Sequence, residues 1–211
     1  MGNVKERPTL RDERAAVTRR RIADAARSLF GSRGYGATTL QAVADEAGVA
    51  VQTVYAVYGS KAGILHELRD TVLRQPAAEA LYEDAMREPR AERKLELCAS
   101  SIRRRWEFGH DVVAIHGDAA ATDPSVRAEV EQVLGMRRNG IARLARSLEA
   151  QLTSGMDSAH ATAILDALTL PEVYAELTDI AGWSADDYEE WLAKCLKGQL
   201  LGTRPGAVRI D

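Results

Sequence analysis

Residues 38–58 read TTLQAVADEAGVAVQTVYAVY, running from Thr38 to Tyr58. The stretch holds two short apolar-periodic segments. Each falls below the ~12 residues at which an isolated helix becomes marginal in water, so packing must hold them. Between them Gly48 supplies backbone freedom for a tight turn, with Ala44 four residues before it and Val54 six after. A helix-turn-helix needs this arrangement. A small residue sits where the second helix crosses closely, a glycine makes the turn, and an apolar plug seats the pair on the core. Such a pair can lay its second helix in the DNA major groove while the first crosses the backbone. The same offsets also fit an αα-corner in an ordinary bundle, and alone they leave both readings open.

Outward from this stretch the pattern stays helical. Ile22, Ala25, Ala26, Leu29 and Phe30 repeat at helical spacing up to Gly31-Ser-Arg-Gly34. Ile64, Leu65, Leu68 and Val72 mark a helix that Ser60 can cap. Gln75-Pro76 opens a looser zone, where a domain boundary is expected. Leu95, Cys98 and Ile102 predict a helix to about Glu107, and Asp123-Pro124 starts another that runs through Val126, Val130, Leu134, Ile141, Leu144 and Leu148. Residues 158–170 are rich in Ala and Leu, Pro171 opens a short helix through Ile180, and Gly182 breaks the chain. Tyr188, Trp191, Leu192, Cys195, Leu196 and Leu200 then form an apolar stripe. No alternating run suits a sheet, so the expected fold is all-α.

With 211 residues, 45% hydrophobic and 28% charged, the chain has the composition of an ordinary globular protein rather than a disordered one. Its net charge of −3 is unevenly spread. Residues 1–75 hold twelve Lys and Arg against eight Asp and Glu, leaving −7 for the remainder. A basic head on an acidic body suits a DNA reader, because phosphate neutralisation concerns only the contacting face. Cys98 and Cys195 stand apart with no CxxC and no nearby His pair, which argues against a zinc site; no metal or cofactor is expected. No apolar run reaches the ~18 residues of a membrane span, and the first residues lack a signal-peptide stretch, so a cytoplasmic protein is expected.

Phe30, Gly34-Tyr35, Thr38-Thr39, Ala44, Ala47-Gly48-Val49, Thr53-Val54-Tyr55, Tyr58 and Ser60-Lys61 together resemble the N-terminal signature of the TetR family of bacterial repressors, in order and without gaps over about residues 18–70. The resemblance implies a flexible basic arm (1–17), a helix-turn-helix domain (18–75) and a helical ligand-binding and dimerisation domain (76–211). It places Val51, Gln52, Thr53 and Tyr55 on the recognition helix, Thr39 and Gln41 at the start of the preceding helix, and Lys61 at the fourth helix where the family grips the DNA backbone. Chemistry agrees. Gln can pair bidentately with adenine, Thr can offer its methyl to thymine, and Tyr and Lys can donate to phosphate. Thr38 and Gln41 also fit a T-x-x-Q capping box, which would assign Gln41 to the helix end instead. Two positions depart from the family pattern. Ala50 replaces a capping Ser and Val57 replaces a phosphate-binding His.

For the body, the resemblance implies a homodimer binding a palindromic DNA operator and released by a small-molecule effector. Pocket candidates are Trp106, Phe108, His110, His116, Met136 and Tyr174, each of which fits an ordinary core equally. Seam candidates are Ala159, Ala163 and Ala167, small enough for close approach, with Trp191, Leu192 and Cys195 supplying apolar area; a monomer core can use the same stripe. One alternative is a helical interaction protein that has lost DNA binding. Another is an enzyme, for which no G-x-S-x-G, phosphate loop or H-E-x-x-H is present.

Overall fold

The computed structural model describes residues 9–202, and every regular element among them is helical. In chain order these are α1 (Leu10–Arg33), α2 (Leu40–Ala47), α3 (Val51–Tyr58), α4 (Lys61–Leu73), α5 (Pro76–Arg87), α6 (Ala91–Thr122), α7 (Pro124–Ser147), α8 (Ser158–Leu168), α9 (Pro171–Ala175) and α10 (Ala185–Leu201). They form two compact units. The first takes the chain up to Asp70 together with Ala114–Arg127, and the second takes Thr71–Val113 and the chain from Ala128 onward. The division thus falls inside α4 rather than at Gln75, which instead caps α5 by accepting the Ala78 N–H, with Pro76 in the first turn.

In the first unit, Ile22, Ala26, Leu29 and Phe30 of α1 pack with Val43, Ala44 and Ala47 of α2, Val54 of α3, and Ile64 and Leu65 of α4, all buried. Each large apolar side chain buried this way contributes about 1.5–3 kcal/mol. Phe30 and Tyr35 stack at 5.2 Å between centroids.

The expected flexible arm is corrected from Leu10 onward, where the chain is already α1. Thr9 and Asp12 form a reciprocal capping box that starts the helix, and residues 1–8 of the expected arm lie outside the described part. The Thr9 hydrogen bonds hold the Asp12 carboxyl below its usual range.

The helix expected to end near Glu107 continues to Thr122 as α6. Gly109 interrupts it with φ −162° and ψ 31°, a kink at which a Cβ would lie 2.2 Å from the Cγ2 of Val72. Arg105 donates to the carbonyls of Val72 (3.3 Å) and Leu73 (2.8 Å), closing the last turn of α4 with a positive charge. Beyond α9, the segment expected to be one short helix widens into a π-helical turn over Glu176–Ile180. Along α10 the inward stripe is Tyr188, Leu192, Leu196 and Leu200, each four residues apart and buried, facing Ala161 and Leu165 of α8 among the core residues.

Candidate nucleic-acid interface

The helix-turn-helix is built as its spacing predicts. Gly48 ends α2 in the left-handed region (φ 63°, ψ 42°), and the Val49 N–H reaches back to the Ala44 carbonyl at 3.0 Å. Arg21 of α1 also donates 2.5 Å to the Ala47 carbonyl, placing a cation on the exposed end of α2. Val54 is fully buried and fixes the rotation of α3. That rotation leaves Gln52 and Tyr55 exposed, with Val51 and Thr53 half-buried at their flanks. Beyond the end of α3, Gly63 in the first turn of α4 comes so close that a Cβ there would sit 2.1 Å from the Tyr58 carbonyl oxygen.

The caps differ from expectation at one place. Thr39, not Thr38, starts α2, accepting the Ala42 N–H at 3.1 Å. Thr38 is buried and donates instead to the carbonyls of Leu29 and Gly34. The Thr38–Gln41 capping box is therefore absent. Gln41 is exposed and donates 2.8 Å to Asp45, one turn further along the same face of α2. Ser60 does cap α4, accepting the Gly63 N–H at 3.1 Å.

Ala50 occupies the cap position of α3 with no side-chain hydrogen bond, and the Thr53 N–H donates to the Ala50 carbonyl at 2.9 Å. Ala50→Ser supplies the missing acceptor. We expect it to stabilise the chain by about 1 kcal/mol, a rise of about 2–4 °C in thermal midpoint for a chain of this size. A midpoint unchanged or lowered in thermal unfolding would show that the helix start is already satisfied.

One expected role is qualified by contacts that spacing gives no sign of. The Lys61 ammonium donates to the carbonyls of Tyr35 (2.8 Å) and Gly36 (3.4 Å) and lies 4.5 Å from the centre of the Tyr35 ring. An ammonium has three donors, so one is left for a phosphate. Tyr58 packs on α1, donating 2.9 Å to the Arg19 carbonyl with the Arg19 guanidinium 4.8 Å from its ring centre; burial pushes its hydroxyl up to about 12. Arg19 in turn makes a two-bond pair with Glu67, tying α1 to α4.

Residues 22–68 match the family model described as bacterial regulatory proteins, tetR family. Over this stretch the chain is similar to the DNA-binding domain of that family. Solved TetR-type structures share the fold across most of the chain. NalD of Pseudomonas aeruginosa, described as the secondary repressor of the MexAB-OprM multidrug efflux pump, is 23% identical, with 90% of this chain and 99% of that one covered at a TM-score of 0.68. SmeT in complex with triclosan is 19% identical, covering 92% and 98% at 0.67. FadR from Bacillus subtilis in complex with stearoyl-CoA is 18% identical, covering 84% and 96% at 0.65. A search of curated proteins found no match.

In the body of the chain the pocket candidates separate. Trp106 and Tyr174 are buried, and His110 joins them, one ring nitrogen 2.8 Å from the Trp106 carbonyl and its ring 5.1 Å from that of Tyr174. Its other ring nitrogen lies 2.9 Å from Asp179. Phe108 and Met136 are exposed, and His116 is buried in the first unit. Tyr188, which periodicity reads only as part of a stripe, is 4.8 Å from the Tyr174 ring, and its buried hydroxyl has no hydrogen-bond partner among the described residues.

The seam candidates divide as well. Ala159, Ala163 and Ala167 form an exposed row on α8, and Trp191 and Cys195 are half-buried on α10. Leu192 is fully buried inside the chain's own unit, which corrects its assignment to a seam: the α10 stripe turns it toward the core, not outward.

Proposed function

We propose that the protein is a homodimeric repressor that reads a palindromic operator with α3 and leaves it when a small apolar or amphipathic molecule binds the body. The observation that carries the reading is the division of α3. Val54 is locked into the core, while Gln52 and Tyr55 stand exposed, as does Thr39 at the start of α2. This is the arrangement in which a recognition helix offers base-reading and phosphate-binding side chains together.

Dimerisation follows from specificity, since two such helices on a twofold axis can read half-sites about 34–36 Å apart whereas one buries too little surface. The exposed alanine row of α8, with Trp191 and Cys195, supports a seam there. The cluster of Trp106, His110, Tyr174 and Tyr188 supports an effector site. A buried hydroxyl without a partner costs about 1–3 kcal/mol, which a ligand's polar group can recover. The similar structures of SmeT with triclosan and FadR with stearoyl-CoA support this reading. Release is a population shift, and moving the chain from nearly all bound to nearly all free requires roughly 10⁴-fold tighter effector binding to the released form.

The test is a footprint on the DNA upstream of the chain's own gene, with the solution mass measured in parallel. We expect a dimer protecting two inverted half-sites about one helical turn apart. No protected palindrome at moderate salt, or a monomer that binds as tightly, contradicts the reading.

A further inference from the structure

We infer that Arg11 and Arg14, on the projecting first half of α1, grip DNA phosphates beside the groove that α3 reads. The inference rests on the DNA-binding reading above and adds a contact surface outside the helix-turn-helix.

The core of the first unit uses α1 only from Ile22 onward, and residues 10–17 are exposed throughout. A free helical end is marginal in water. Here it is held by its capping box and by continuity with the packed half. Positions 11, 14, 18 and 21 are spaced three, four and three residues apart, which puts them on one face. Arg21 on that face donates to Ala47, immediately before the turn that leads into α3. At 1.5 Å per residue, Arg14 lies about 10 Å and Arg11 about 15 Å further out along the same line. The face therefore runs outward from the turn that positions the recognition helix.

Its charge is uncompensated. The Asp12 carboxylate is folded onto Thr9, and Glu13 is about 200° around the helix from Arg11. Two guanidinium forks on one helical face, with no carboxylate on that face, suit the spacing of a phosphate backbone. Leu10 and Val17 are exposed beside them, which leaves a second copy of the chain as the rival occupant.

The experiment measures salt dependence of binding to a random-sequence duplex by the full chain. Glutamine replaces each arginine, because it keeps helix propensity while removing the charge. We expect the slope of log K against log salt to fall by about 0.9 for each phosphate no longer neutralised, so by about 1.8 per chain and about 3.6 per bound dimer for Arg11→Gln/Arg14→Gln. Arg20→Gln, on the far side of α1, removes a charge and should leave the slope unchanged. Equal small changes from Arg20→Gln and Arg14→Gln would overturn the inference while leaving the repressor reading intact. A change in oligomeric mass without a change in slope would assign the face to chain–chain contact and overturn it too. Wild-type chain that binds no duplex at all would remove both.

Discussion

Gly63→Ala is expected to destroy sequence-specific DNA binding and to cost about 1–3 kcal/mol of stability. A Cβ at this position would lie 2.1 Å from the Tyr58 carbonyl oxygen and 3.2 Å from its carbon. The obstacle is backbone, so no side-chain rotation relieves it. Either α4 must lose its first turn, where the Gly63 N–H meets Ser60, or the end of α3 must move. Either change disturbs the surface that Gln52, Tyr55 and Lys61 share in the DNA-binding reading. Gly135→Ala is the matched control: it lies within α7, where an added Cβ would meet nothing within 4 Å, and it should stabilise the chain by about 1 kcal/mol through helix propensity. Thermal unfolding and duplex titration check both variants. A Gly63→Ala chain with wild-type midpoint and affinity would mean that the close approach of α3 and α4 is not required.

The second large effect belongs to Gly109→Ala. Here the obstacle is a side chain, with Val72 Cγ2 at 2.2 Å and Cγ1 at 3.2 Å, but Val72 is itself buried and has little room to turn. We expect a loss of about 1–3 kcal/mol from overpacking. Val72→Ala alone removes two methyl groups and also destabilises. The double variant should recover part of the loss, because the added methyl enters space the valine vacated. A coupling of about 0.5–3 kcal/mol is expected for residues in direct contact. Additive losses in denaturant titration would show that the two do not compete for one space and that the kink of α6 has another cause.

These two glycines show which parts of the molecule the sequence discloses. The helix-turn-helix is legible because its determinants are local: Gly48 makes the turn, Ala44 allows the crossing, Val54 plugs the core, and all three act within a short stretch of chain. The α10 stripe is legible for the same reason, although periodicity cannot say whether Leu192 or its neighbour Trp191 faces inward. That depends on where α8 lies. The roles of Lys61, Tyr58 and Arg21 are set by atoms 26 to 39 residues away in the chain, and residue spacing carries no record of them. The same holds for Gly109, whose need for hydrogen in place of a side chain comes from Val72. In the body, Trp106 and Tyr174 are buried while Phe108 and Met136 are exposed. A helix places aromatic and sulfur side chains at the same intervals whether they face a ligand, a core or water. Ala50 lies between these cases: the missing cap is visible in sequence, and the structure adds that Ala50 does stand at the cap position of α3.

The central claim, that α3 reads bases through Gln52 while Lys61 serves the backbone, is tested most directly by selecting duplexes from a random library with the full chain and its variants. The wild-type chain should enrich an inverted repeat. Gln52→Ala should relax preference at one symmetric pair of positions, costing about 1–3 kcal/mol there, and leave the other positions ranked as before. Lys61→Ala should weaken all sequences alike and flatten the salt dependence. Failure to enrich an inverted repeat, or equal sequence-blind losses from both substitutions, would contradict the claim.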